Sequence, residues 1–393
     1  MRTPLLTGPL TVEGPFPSQT RRLRLAIVGG GGIGRVHAWA AALSERWEVV
    51  GVAPSSDPAR VQAASDNMVW RDCEIFSSHV ALIEAARART TPIDAVAITV
   101  PNHLHYDVAT ACLDAGLNVM CEKPLTIYAR DAADLVMRAA DAEVSFCAGY
   151  PYAAFPMVRQ ARSLIASGAL GGVRQIHAEF VQDYLLTQAP ASVGSWRHDP
   201  ARAGAGSSAD IGTHAFHLAE FVTGLAIEQV RGEFYVSGPS RPIEDTFFAF
   251  VRAQSGVLGI LWGSQAAAGI TSGPRVRIIC ERASLDWNNG FPQELHCHWI
   301  DQPAQIFTRG RGRGLSPAAE RFTRRPRGNT EGWVEAWANL YTEFALAIAA
   351  RADGISVPDG VLDYPGVVDG ARGVAFVEAM IASVKRGGAW TAV

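Results

Sequence analysis

A chain of 393 residues is longer than one ordinary hydrophobic core and fits two domains. With 48% hydrophobic and 19% charged residues it can bury a substantial core, which excludes global disorder. A net charge of -3 gives no general pull towards nucleic acid or an anionic membrane, and no stretch approaches the ~20 apolar residues of a bilayer span, so small molecules are the expected partners.

Residues 1–21 carry Pro4, Pro9, Pro15 and Pro17 and read as a flexible N-terminal extension. Arg21-Arg22 before Leu23-Arg24-Leu25-Ala26-Ile27-Val28 imitates a twin-arginine export signal. The same apolar run leads directly into a glycine-rich turn that a cleaved signal would destroy, so 25–28 is expected to be the first strand. The six cysteines, at 73, 112, 121, 147, 280 and 297, form no CxxC pair, which points to reduced thiols in a cytoplasmic protein rather than disulfides or a zinc site.

Gly29-Gly30-Gly31-Gly32-Ile33-Gly34 follows that strand without a spacer, and residues 35–44 have helical character. Gly29, Gly31 and Gly34 satisfy G-x-G-x-x-G in the strand, turn and helix context of a dinucleotide-binding fingerprint. There the first glycine makes the turn, the second lets backbone approach a pyrophosphate, and the third lets helix pack on strand. Gly32 and Ile33 complete the turn. A second strand, 48–53, ends where an acidic residue would be expected to bind the ribose hydroxyls of NAD. The residues there are Ala53-Pro54-Ser55-Ser56, and Asp57-Pro58 reads as an N-cap with proline at the first helical position. The ribose would then meet Ser55, Ser56 and Arg60, a set that accommodates a 2'-phosphate and leans slightly to NADP over NAD.

The next strand, 93–100, runs into Pro101-Asn102-His103-Leu104-His105, then a helix over 106–115 closed by Gly116. Val119-Met120-Cys121 is an apolar strand ending in Glu122-Lys123-Pro124. In open α/β sheets ligands bind beyond the carboxyl ends of the strands, which puts Lys123 where a cofactor and a substrate would meet. A helix over 131–141 and a strand over 144–148 follow. The alternation argues for a parallel, doubly wound sheet, α/β in class, over 22–149.

From residue 150 onwards the pattern changes. A helix over 156–167 precedes runs of alternating polarity at 173–181, 230–236, 246–253, 257–265, 276–281 and 294–300, and two helices, 333–350 and 368–384, close the chain. Consecutive strands of this kind predict an α+β domain, 150–393, with a large, mostly antiparallel open sheet. On a strand, His296 and His298 share one face and Cys297 the other, so that triplet is given a structural role and no metal site is expected. The run Arg309-Gly310-Arg311-Gly312-Arg313-Gly314, with further arginines to Arg327, reads as a mobile surface loop rather than a nucleic-acid contact, because the run holds no aromatic residue and the chain is net acidic.

A second chemical cluster is Gly194-Ser195-Trp196-Arg197-His198, then Asp210-Ile211-Gly212-Thr213-His214. In a helix over 210–222, Asp210 and His214 would lie one turn apart on one face, a carboxylate orienting an imidazole as a general base requires. Combined with a dinucleotide fold and a lysine at a strand end, the pair supplies what alcohol oxidation by hydride transfer needs. His214 takes the hydroxyl proton, Asp210 orients the ring and Lys123 stabilises alkoxide character, without a metal.

These motifs, Gly29 to Gly34 with His37, Pro101-Asn102-His103-Leu104-His105, Glu122-Lys123-Pro124 and Asp210-Ile211-Gly212-Thr213-His214, resemble those of the Gfo/Idh/MocA oxidoreductases from about Leu25 to the C-terminus. The resemblance implies a Rossmann domain and a second domain whose open sheet makes the contacts of a homodimer or homotetramer. It further implies sugar or cyclitol substrates and Lys123, Asp210 and His214 as the catalytic set. It puts Pro101, Asn102, His105 and Glu122 near the cofactor and Gln182-Asp183-Tyr184 and Trp196-Arg197 in substrate-facing segments. His217 stands where the family often carries an acidic residue. Two other activities fit the same residues: an enzyme that retains its cofactor and uses transient oxidation for hydrolysis or epimerisation, and a non-catalytic dinucleotide sensor.

Overall fold

In the computed structural model, residues 21–187, 196–237, 242–271, 273–310, 314–357 and 360–393 are described. Residues 1–20 of the expected extension lie outside them, as do Gly194, Ser195 and 311–313 of the arginine-glycine run. In chain order the elements are β1 (Leu23–Val28), α1 (Gly32–Leu43), β2 (Trp47–Ala53), α2 (Pro58–Ser65), β3 (Glu74–Ile75), α3 (His79–Ala88), β4 (Ala95–Ile98), α4 (His105–Leu113), β5 (Asn118–Cys121), α5 (Ala129–Asp141) and β6 (Phe146–Ala148). Then come α6 (Pro156–Ala166), β7 (Val173–Val181), α7 (Pro200–Ala203), a π-helical turn (Ser208–Gly212) running into α8 (Thr213–Thr223), β8 (Ile227–Tyr235), β9 (Thr246–Ala253), β10 (Leu258–Ser264), β11 (Gly273–Cys280), β12 (Ala283–Asn288), β13 (Glu294–Trp299) and β14 (Gln305–Thr308). The chain closes with α9 (Pro317–Glu320), α10 (Trp333–Ala352), α11 (Val367–Lys385) and β15 (Thr391–Ala392).

Two compact units result. Of the described residues, one comprises 21–125, Arg130–Ala154 and Gly332–Gly370, the other Thr126–Ala129, Phe155–Glu331 and Ala371–Val393. The linear boundary drawn at 149/150 is thus crossed by a return of the chain, because α10 packs in the first unit. Its cause is legible in α10 itself. Trp333, Trp337, Tyr341, Phe344 and Ile348 recur at helical spacing and build one apolar face. Tyr341 and Phe344 meet Trp47, whose ring stacks on Phe344 at 5.5 Å and whose indole N–H donates to the Tyr341 carbonyl at 2.8 Å.

The first unit holds a six-stranded sheet in the order β3-β2-β1-β4-β5-β6, parallel throughout. Strands buried on both faces read as continuous apolar runs, and β4 (Ala-Val-Ala-Ile) is wholly buried. The order reverses direction between β1 and β4, which opens a crevice at their carboxyl ends. At the opposite, amino-terminal end of these two strands Asp94 clasps the start of β1. Its carboxylate accepts from Arg24 N–H and Nε, at 2.7 and 3.0 Å, and from Arg21 at 2.8 Å.

The second unit holds a nine-stranded mixed sheet in the order β14-β13-β12-β11-β7-β10-β9-β8-β15. It is antiparallel except for the parallel pair β7 and β10, whose direct connection the short turns of a meander could not make. Alternation is strict along β11, where Val276, Ile278 and Cys280 are buried while Arg275 and Arg277 turn outward to Asp286 at 2.6 and 2.7 Å. His296 and His298 share the outer face, 6.1 Å apart, with Cys297 fully buried between them. Phe248, Phe250, Leu258 and Ile260 stand on the outer face of β9 and β10, each more than 40% exposed.

Burial alone would raise the Asp94 carboxyl, but Arg24 and Arg21 hold it well below the ordinary carboxylate range. Its stabilisation is therefore complete above the unfolded-state pKa of about 3.9 and is lost as pH falls from there towards the folded value. Asp94→Asn is expected to cost about 2 kcal/mol at neutral pH. Denaturation of both proteins at pH 7 and pH 3 checks this, the gap between them narrowing at the lower pH; a constant gap refutes the role given to the ion cluster.

Candidate active site

The glycine turn lies at the switch point between β1 and β4. Gly29 has φ +112°, a conformation that disfavours any side chain, and a Cβ there would sit 2.7 Å from Thr99. A Cβ on Gly34 would lie 2.0 Å from the Gly29 carbonyl oxygen, so only glycine lets α1 start this close to β1. Gly31 and Gly32 differ: nothing stands within 4 Å of a Cβ built on either, so their backbone faces open space. Thr99 pins the turn by donating its hydroxyl to the Gly29 carbonyl at 2.8 Å. The first turn of α1 carries no acidic residue and no side-chain cap, leaving its N–H groups to an anion. A close-packed first and third glycine around an open second is the cradle a pyrophosphate requires, so the residues present fit a dinucleotide.

At the tip of β2, Asp57 caps α2 as expected, accepting from Ala59 N–H at 3.0 Å. Ser55 Oγ accepts from Asp57 N–H at 3.1 Å, and Arg60 Nε lies 3.7 Å from the Asp57 carboxylate. Ser56 and Arg60 are exposed.

Lys123 leaves the carboxyl end of β5 half-buried, on a support that the sequence did not reveal. Its N–H donates to Glu122 Oε2 at 3.0 Å, and Glu122 Oε1 lies 3.2 Å from His37 Nε2. His37, wholly buried on α1, has Nδ1 2.8 Å from the Tyr341 hydroxyl. A carboxylate only accepts, so in the neutral ring Nε2 carries the proton and Nδ1 accepts from Tyr341. Burial, with Cys147 and Glu122 nearby, raises the Tyr341 phenol well above its ordinary pKa and keeps it a donor. Trp337 covers the group, its ring 4.3 Å from that of His37. A Cβ on Gly149 would sit 3.0 Å from the Trp337 ring and 3.1 Å from the Glu122 backbone. The i, i+4 spacing of Trp337 and Tyr341 was the available signal for these two residues.

Of the other residues expected near a cofactor, Pro101 starts a short 3-10 turn after β4, and Asn102 is buried in it. His105 is buried with Nδ1 2.8 Å from the Pro124 carbonyl and Nε2 2.8 Å from that of Val100. It thereby ties the segment after β4 to the cis Lys123-Pro124 peptide. Burial holds its pKa below the usual histidine value against both carbonyls.

In the second unit, Asp210 and His214 lie on one continuous helical run, but its first turn is π-helical rather than α-helical. Such turns recur at functional sites because they shift side chains out of the regular α register. The turn is held from below by Glu244, whose buried Oε1 accepts from Gly206 N–H, Ser208 N–H and Ser208 Oγ at 2.9, 3.0 and 2.6 Å. Burial raises the Glu244 carboxyl despite these donors. Gly206 and Gly212 permit the fit, since a Cβ would strike the Glu244 carbonyl at 1.8 Å and the Phe247 ring at 2.8 Å. Asp210 accepts from Gln265 Nε2 at 2.6 Å, a partner that sequence reasoning missed. His214 is buried beside Phe180, rings 5.6 Å apart, and His217 stacks on Phe221.

Gln182 and Asp183 are half-buried and Tyr184 exposed in the segment after β7. Trp196 and Arg197 follow the undescribed residues 188–195, the guanidinium 4.4 Å over its neighbour's ring. The mobile-loop expectation for the arginine run needs correction at its start. Arg309 is 3% exposed and donates to Glu331 at 2.8 Å and to the Arg325 carbonyl at 2.9 Å. Glu331 also accepts from the N–H groups of Arg324 and Arg325. A buried guanidinium has to be paired, and this pairing anchors the returning chain. Among the described residues no group of His, Cys, Asp and Glu could hold a metal ion, and no helix is long and apolar enough to cross a membrane.

Comparison with known proteins bears on the family and the fold. Residues 23–150 match the model of an oxidoreductase family with an NAD-binding Rossmann fold, and residues 158–286 match the GFO/IDH/MocA C-terminal domain. An inositol dehydrogenase homolog from Azotobacter vinelandii, solved with NAD+, is 33% identical over 95% of this chain and 98% of its own, with a TM-score of 0.87; it has also been solved with NADH and myo-inositol. The oxidoreductase YfiI of Bacillus subtilis is 27% identical over 94% of this chain and 97% of its own. The levoglucosan dehydrogenase of Pseudarthrobacter phenanthrenivorans is 28% identical over 57% of each chain. The glycine cradle, the Glu122-Lys123-Pro124 strand end and both matched domains make this chain a member of the GFO/IDH/MocA family of NAD-binding oxidoreductases.

Proposed function

We propose that this chain catalyses reversible hydride transfer between a nicotinamide dinucleotide and a secondary hydroxyl of a sugar, glycoside or cyclitol. The observation that carries the proposal is the open glycine cradle at the sheet's switch point, in the same unit as the strand end that holds Lys123. The substrate class is supported by the relatives, one solved with myo-inositol and one a levoglucosan dehydrogenase.

Gly29, Gly31, Gly32, Ile33 and Gly34 would hold the pyrophosphate, with Pro101, Asn102, His105 and Glu122 shaping the nicotinamide side of the site. Ser55, Ser56 and Arg60 offer hydroxyls and a guanidinium to a 2'-phosphate, so NADP is accepted as well as NAD, with a slight preference for NADP. Once bound, the cofactor supplies the two-electron acceptor for the carbinol carbon. The chain's own residues then manage the proton and the charge. His214 takes the hydroxyl proton, Asp210 holds the imidazole and stabilises its charged form, and Lys123 hydrogen-bonds the oxygen as alkoxide character grows. In the reverse direction His214 returns the proton. Gln182, Asp183, Tyr184, Trp196 and Arg197 supply polar groups beside an aromatic surface, a combination suited to a polyhydroxylated ring. The exposed face of β9 and β10, with Phe248, Phe250, Leu258 and Ile260, joins copies of the chain into a dimer or tetramer, since contiguous exposed apolar side chains on a sheet mark an interface.

Three measurements test this reading. Nicotinamide absorbance followed with NAD and NADP separately, over a panel of myo-inositol, sugars and glycosides, is expected to show turnover that Lys123→Ala lowers about 100-fold or more while cofactor affinity persists; unchanged turnover refutes the role of Lys123. Gly34→Ala is expected to abolish dinucleotide binding by calorimetry, because its methyl would overlap the Gly29 carbonyl. Light scattering on the doubly substituted Phe250→Glu, Ile260→Glu protein is expected to give the monomer mass, and an unaltered oligomer would move the interface elsewhere.

A further inference from the structure

The residues after β10 carry a connection that neither the motifs nor the family match assigns. Gln265 directly follows Ser264, the last residue of β10, and is 5% exposed. Its side-chain Nε2 donates to Asp210 Oδ2 at 2.6 Å. The orientation of this amide is fixed by chemistry, since a carboxylate can only accept and the NH2 group must face it. The main chain of Gln265 is equally committed. Its N–H donates to the Asp245 carbonyl at 2.8 Å, and its carbonyl accepts from Leu185 N–H at 2.9 Å. On either side, Gln182 N–H donates to the Ser264 carbonyl at 2.8 Å and Ala267 N–H to the Gln182 carbonyl at 3.1 Å.

The segment 182–185, which carries Gln182, Asp183 and Tyr184, is thus laced to 264–267 by main-chain bonds. One side chain from that same stretch reaches the carboxylate on the π-helical turn. Glu244 fixes the backbone of this turn from beneath, through Gly206 and Ser208, but touches it at the turn's start. Gln265 fixes the carboxylate itself. We infer that Gln265 is a positioning residue: it sets the rotamer of Asp210, and with it the imidazole that Asp210 orients, in register with the substrate-facing segment 182–185. This inference rests on the hydride-transfer reading of Asp210 and His214 given above.

The test is a double-mutant cycle on the whole 393-residue chain, with NAD or NADP and the panel substrate that turns over fastest. Gln265→Leu removes the donor at nearly constant volume. Gln265→Glu keeps the shape but sets an acceptor against Asp210. Both are expected to lower kcat roughly 10- to 100-fold, the scale seen for residues that orient a catalytic group, with the cofactor Kd unchanged. In the Asp210→Asn background the further loss from Gln265→Leu is expected to vanish, because the residue acts only through that carboxylate. A merely structural glutamine would instead lower activity by the same factor in both backgrounds, which overturns the inference. Unchanged kcat in both single variants overturns it too. The Glu variant keeps the test open where the Leu variant does not fold. If Asp210→Asn itself leaves turnover intact, or the wild type turns over no panel substrate, the functional reading fails and the inference with it; an additive cycle on an Asp210-dependent enzyme sinks the inference alone.

Discussion

Glu122 is the constraint on which the placement of Lys123 depends. A carboxylate taken out of water costs several kcal/mol unless its oxygens find donors. Here each oxygen has one: His37 on α1 meets Oε1, and the backbone N–H of Lys123 meets Oε2. The consequence is geometric as much as energetic. The peptide from which the lysine side chain departs is tied to the helix that begins at the glycine cradle. Tyr341 completes the chain of donors from α10, and Trp337 roofs it. Tyr341, 218 positions further along the chain, is therefore part of the support of Lys123. The same helix whose apolar face packs Gly332–Gly370 into the first unit thereby brings Tyr341 and Trp337 to Glu122's partner, although the second unit intervenes in sequence.

The second unit solves a similar problem with different means. Its candidate base lies on a helical run whose start is pinned by a buried carboxylate, Glu244, and whose acidic residue is met by an amide, Gln265. Gly206 and Gly212 are the permissive positions, as Gly29 and Gly34 are in the first unit. In both units glycine stands where two backbones, or a backbone and a ring, approach more closely than a Cβ allows. The tightness that excludes side chains also restrains the groups packed against it, which is the preorganisation that the proposed hydride transfer would use.

Much of this was legible in the sequence, and unevenly so. The strand, glycine turn and helix were readable because G-x-G-x-x-G places three steric requirements in six consecutive residues. Asp57-Pro58 was readable as a cap because the bond it makes, to Ala59, is local. The short strand β3 was not read, since two residues of strand leave no periodicity to detect, and helix α3, capped by Ser78, was passed over. The basic run was misjudged at Arg309, whose composition argues for solvent and whose actual partners, Glu331 and the Arg325 carbonyl, lie 22 and 16 residues away.

The sequence by itself determined the class of the fold, the position of the glycine cradle and the identity of the candidate groups Lys123, Asp210 and His214, because each is set by residue type and short-range spacing. Only the tertiary structure decided what holds those groups. The pairing of His37 with Glu122 and with Tyr341, of Asp210 with Gln265, and of Ser208 with Glu244 spans 85, 304, 55 and 36 residues of chain. Over such separations hydrogen-bond partners are chosen by strand order and helix packing, and no local pattern in the chain encodes that choice.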